Sequence, residues 1–123
     1  MAGSWGPTTN LGTDRLITGY KKTFTADAAD GSIPAWNATS DPLIMTAFTG
    51  TITDVRVLFG SPAPNALTVT LVDALGVTLG SIALTASGVL APDAPIQVSG
   101  GLSIALTGNS TNSATGTVEI LFL

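Results

Sequence analysis

The chain has 123 residues, 45% apolar and 10% charged, with 4 basic and 8 acidic side chains, a net charge of −4, and neither cysteine nor histidine. That length fits one domain able to bury about 65% of the surface its unfolded form exposes. The composition excludes disulfides, thiolate metal sites, Ser-His-Asp and Cys-His catalysis and nearly every zinc or iron site, and its few cations argue against nucleic-acid binding.

Residues 1–13 are rich in Gly, Thr and Pro, show no periodicity and carry one aromatic, Trp5. They are expected to form a flexible N-terminal arm, either a loose tail or a strap that orders on a neighbouring subunit with Trp5 as its anchor. The segment has neither a basic start nor an apolar core of the kind a signal peptide needs. No apolar run along the chain is long enough for a membrane span. A β-domain is expected over residues 14–123.

Leu16 to Ala26 reads as a first strand, with Leu16, Thr18, Tyr20, Lys22 and Phe24 on one parity. Turn chemistry follows at Asp27-Ala-Ala-Asp30-Gly31-Ser32, then a loop through Pro34, Trp36 and Asp41-Pro42. Pro42 to Phe48 is a short apolar run. In Thr51 to Phe59, Thr53, Val55, Val57 and Phe59 alternate with Ile52, Asp54, Arg56 and Leu58, the clearest half-buried strand. Residues 67–84 read as a hairpin turning at Asp73-Ala-Leu-Gly76. Gly88 to Pro95 is expected to be a loop, since Pro92 and Pro95 cannot donate to a ladder. Ile96–Val98 is a short strand, Leu102 to Thr107 a longer one, and Thr115 to Leu123 the last, with Val118, Ile120 and Phe122 sharing a face.

Seven to eight strands separated by Gly/Pro/Asn/Ser loops, with no amphipathic helix, predict an all-β fold: an antiparallel two-sheet sandwich or jelly roll. Val55, Val57, Leu67, Val69, Leu71, Leu102, Ile104 and Leu106 are the expected core. The opposite parity still offers Ile52, Leu58, Val72, Ile82 and Leu121, where a wholly solvated face would carry Thr, Ser, Lys and Glu. With Trp5 and Trp36, these five are the candidate interface residues. Sparse charge supports that view: soluble domains average about 25% charged residues, and neutral surfaces tend to associate.

Candidate chemistry is thin. Asp14, Asp27, Asp30, Asp41, Asp54, Asp73, Asp93 and Glu119 fall mostly in turns or at strand ends, where a carboxylate caps its own backbone. Asp27-Ala-Ala-Asp30-Gly31 lacks the ligand spacing of a calcium loop, and Lys21-Lys22 lacks the glycines of a phosphate loop. Asn37-Ala-Thr39 and Asn109-Ser-Thr111 fit the glycosylation pattern but read as loop residues. Trp5, Tyr20 and Trp36 could form a sugar-stacking platform, or Trp36 could plug an edge of the sandwich or meet a neighbour. The expectation is a protein without catalytic residues, cofactor or metal.

The stretch Ala29-Asp-Gly-Ser-Ile-Pro34, the turn Leu71-Val-Asp-Ala-Leu-Gly76 between two strands, and Gly101-Leu-Ser-Ile-Ala-Leu leading through a Gly/Asn/Ser loop to Gly116-Thr-Val-Glu-Ile-Leu-Phe-Leu123 resemble small structural proteins of tailed double-stranded-DNA bacteriophages. The resemblance covers roughly residues 20–123 and is nearest to capsid decoration, or cement, proteins. It implies a β-rich virion protein on the capsid surface, assembled in the host cytoplasm, with the major capsid protein and copies of itself as partners in a homotrimer, and no nucleic-acid or membrane partner. A tail or head–tail joining component, or a carbohydrate- or receptor-binding module, is the alternative.

Overall fold

Period-two alternation of Val, Ile and Leu with Thr, Ser and Ala suits a pleated surface, because β-branched side chains are stiff and pack well there. The structure, a computed structural model, describes residues 4–6, 8–10, 18–28, 32–36, 45, 48–90, 96–98, 100–107 and 113–122. Among them run ten strands: β1 (Ser4–Trp5), β2 (Thr9–Asn10), β3 (Thr18–Thr25), β4 (Gly50–Phe59), β5 (Leu67–Asp73), β6 (Thr78–Leu84), β7 (Gly88–Leu90), β8 (Ile96–Val98), β9 (Leu102–Thr107) and β10 (Thr115–Phe122). They form two antiparallel sheets packed as a sandwich. The large sheet has the order β1-β3-β10-β4-β7, with β2 also on β3 and β8 also on β4; the small sheet is β6-β5-β9.

The strand count exceeds expectation for two reasons. The segment expected to be an N-terminal arm supplies β1 and β2, both paired with β3. Gly88–Leu90, expected to lie in a loop, is β7, which pairs with Val55–Val57 of β4, while β8 pairs with Gly50–Ile52 of the same strand. The prolines between β7 and β8 lie outside the described residues.

The expected core is the observed one. Val55, Val57, Leu67, Val69, Leu71, Leu102, Ile104 and Leu106 are all buried, joined by Phe24, Met45, Phe48, Val98, Val118 and Ile120. Ile52 joins them although the alternation of β4 puts it on the outer face. The register opposite β10 passes from Leu121↔Asp54 to Phe122↔Ile52, skipping Thr53. That bulge turns Ile52 inward, where it is fully buried.

The two long flanks of the sandwich differ. On the β3–β9 flank, Trp36 pairs with Ile104, each backbone N–H donating to the other's carbonyl at 2.9 and 2.8 Å. Trp36 is fully buried, and Trp5 leans on it with centroids 5.7 Å apart while meeting Phe24 edge-on at 5.9 Å. The Trp5 indole N–H donates to the Pro34 carbonyl at 2.9 Å. This flank is closed by aromatics. On the other flank, β6 and β7 are adjacent, and among the described residues no strand pairs with the far side of β6.

Candidate interaction surface

Inward parity in the small sheet leaves Thr68, Thr70 and Val72 of β5, Thr78, Ser81 and Ala83 of β6, and Ser103, Ala105 and Thr107 of β9 pointing out. Register rows run Thr107-Thr68-Ala83, Ala105-Thr70-Ser81 and Ser103-Val72-Thr78. Within the middle row the Thr70 and Ser81 hydroxyls are 3.2 Å apart, in hydrogen-bond contact. Among the described residues this outer face carries hydroxyls and methyls and no charge. Asp73 ends β5, but its carboxylate is turned into the hairpin, accepting from the Leu75 and Val77 N–H groups at 2.9 Å each.

The outer face of the large sheet is different. Register aligns Lys21, Glu119 and Arg56 in one row across β3, β10 and β4, with Asp54 two residues along from Arg56. Among the described residues, charge is thus concentrated on one outer face and missing from the other. Lys22 faces inward beside Phe24 at 5% exposure, and its ammonium donates to the Thr8 hydroxyl at 3.0 Å.

The candidate interface residues divide sharply. Leu58 is half exposed on the outer face of the large sheet, Val72 lies on the neutral face of the small sheet, and Ile82 is a half-buried inward residue of the open strand β6. Trp36 and Ile52 are core residues with no exposed surface. Leu121 does point out of the large sheet, but it is only 6% exposed, because it lies over Gly19 on the neighbouring strand. A Cβ at Gly19 would come within 2.9 Å of Leu121 Cδ2. Trp5 is half buried against its own domain. The exposed aliphatics Leu75, Val77 and Val89 were not singled out by the sequence. They lie in a turn and on a short edge strand, where alternation carries no information.

No group of three or more acidic side chains among the described residues could hold a metal ion. A shallow groove of about 260 Å³ is lined by Thr49, Gly50, Thr51, Gln97 and Val98, none of them ionisable. Asp54 and Glu119 share an open sheet face with cations beside them, and Asp73 is engaged in its turn. Asp14, Asp30, Asp41, Asp93 and both glycosylation-type asparagines lie outside the described residues. A platform containing Trp36 is precluded by its burial. No family model, curated protein or solved structure matches the chain.

Proposed function

We propose that this protein is a non-enzymatic structural module that decorates the capsid of a tailed double-stranded-DNA bacteriophage, resting on the outer head surface across contacts between capsomers. The observation that supports this reading is the uncharged outer face of the small sheet, centred on Thr68, Thr70, Ser81, Ala105 and Thr107. Such a face pays little desolvation cost when covered and offers many weak hydroxyl and methyl contacts. Repeated by symmetry over a lattice, contacts of that kind add up to avidity without any single strong site. The partners in this reading are the major capsid protein and further copies of the chain; the resemblance implies a homotrimer.

The test is addition of the purified protein to heads that lack it, followed by electron microscopy and by thermal disruption of the heads. Occupancy saturating at a fixed number of copies per capsomer, with heads that resist heating better, is the expected result. Heads that stay bare at saturating protein would end the proposal. The double variant Thr70→Lys with Ala105→Lys places charge in the middle row of the neutral face. It should lower head binding at least 10-fold while leaving the melting temperature of the free protein within a few degrees.

A further inference from the structure

The open flank offers a second surface, the backbone edge that borders the neutral face. Natural sheets guard their edges with charge, proline, bulges or a covering segment, because an unpaired strand is a template for another chain. The β9 edge of the small sheet is covered where Trp36 pairs with Ile104. On the large sheet, the edge beyond β4 is split into two strands of three residues, β7 and β8. Among the described residues, the β6 edge has none of these guards between Gly80 and Leu84. Gly80-Ser-Ile-Ala-Leu84 contains no charge and no proline, and the one irregularity of its pairing with β5 falls outside it, at Leu79. Alternate residues there turn their N–H and C=O groups away from β5, and no described residue meets them.

We propose that β6 is a self-association edge, pairing antiparallel with β6 of a second copy about a two-fold axis at Ile82. In that register Ile82 faces Ile82 of the second copy, Gly80 faces Leu84, and Ser81 faces Ala83. Every pair matches in face, since Gly80, Ile82 and Leu84 all point inward and Ser81 and Ala83 outward. The apolar pair at the axis joins two half-buried isoleucines. At Gly80 the nearest described side chains to an added Cβ are Leu90 and Ile96, at 3.6 Å and beyond, so the apolar contact there extends the inward side of the seam.

Charge selects a second copy over other occupants. The chain carries a net charge of −4, so two copies repel on average, yet both the β6 edge and the outer face it borders are uncharged among the described residues. An acidic or basic peptide would find no counter-charge there. Two three-stranded sheets would join into one of six, and the rows Ala105-Thr70-Ser81 and Thr107-Thr68-Ala83 would run on into each other across the axis. A two-fold seam uses the same edge twice and yields a dimer in place of the three-fold ring that the resemblance implies. The seam is short, about 17 Å at roughly 3.3 Å per residue, which sets association in the weak, transient class.

Sedimentation of the free protein from about 1 µM to about 1 mM reads the result without heads, so its failure and that of head decoration are separable. The expected outcome is a concentration-dependent rise to twice 12.3 kDa, with amide-exchange protection of Gly80–Leu84 growing in step. The double variant Ser81→Lys with Ala83→Lys sets like charges opposite each other twice in the seam and should weaken association at least 10-fold. Mixing it with Ser81→Glu/Ala83→Glu should restore association as a heterodimer, which a folding defect would not allow. Thr107→Lys, at the far edge of the same face, should leave it unchanged. A monomer throughout, a mass three times that of the chain, protection at another strand, or dimers indifferent to the paired lysines would each overturn the proposal.

Discussion

Two residues show how little slack the core has. Gly116 on β10 faces Phe24 on β3, and a Cβ there would come within 2.5 Å of the phenyl ring and 2.8 Å of the Leu58 carbonyl oxygen. The aromatic ring occupies the space a side chain would need, so Gly116→Ala should cost about 1–3 kcal/mol in urea unfolding. Trp36 poses the opposite problem. It is the largest fully buried side chain, and its indole N–H has no hydrogen-bond partner among the described residues. An unsatisfied buried donor costs about 1–3 kcal/mol. Trp36→Ala should therefore destabilise by about 3–5 kcal/mol through the cavity it opens. Trp36→Phe, which loses some contacts but also the orphan donor, should stay within about 1–2 kcal/mol of the parent. Equal losses for the two variants would show that the indole nitrogen is better accommodated than its surroundings indicate.

At the scale of elements, alternation made the long strands legible. The β5–β6 hairpin is where Leu67, Val69 and Leu71 on one side and the Asp73-to-Gly76 turn on the other locate it. The turn is held by the Gly76 N–H donating to the Asp73 carbonyl at 3.1 Å, with Gly76 at φ +85°, and by the two bonds to the Asp73 carboxylate. Asp73→Ala should cost about 1 kcal/mol, read from the urea midpoint, with no change of fold. What alternation could not show is register. Ile52 turns inward through a bulge one residue away that is invisible in a single strand, and Leu121, though it points outward as alternation has it, is covered because the glycine that lets it lie flat is on another strand. The pairing of β1 and β2 with β3 is hidden from alternation for a related reason: strands of two residues have no period to detect. Trp5 nevertheless signalled a docking partner, and the partner present is Pro34, Phe24 and Trp36 of the same chain. Trp5→Ala should lower stability by about 2–4 kcal/mol, and the loss should be independent of protein concentration. A loss that vanishes on dilution would place the anchor on a neighbouring subunit instead.

Across the whole molecule, the separation of charge between the two outer faces is the property that bears most on function. A lattice contact made through Thr68, Thr70, Ala105 and Thr107 should change less than about threefold between about 50 mM and 500 mM salt, since it has no ion pairs to screen. Contact through the Lys21-Glu119-Arg56 row would weaken steeply over the same range. The neutral face was partly foreseeable from the low charge content, but which face it would be depended on how the strands were dealt between the sheets. That dealing has a further consequence. β10 is the last strand in sequence and lies in the interior of the large sheet, joining β3 to β4. A ribosome that has released residues up to 107 has therefore delivered β3 and β4 without the strand that unites them, each offering a bare flank to water. Assembly of the large sheet has to wait until β10 has been made, and a chaperone able to shield those two flanks in the interval should raise the yield of native protein more than one acting after β10 has joined them.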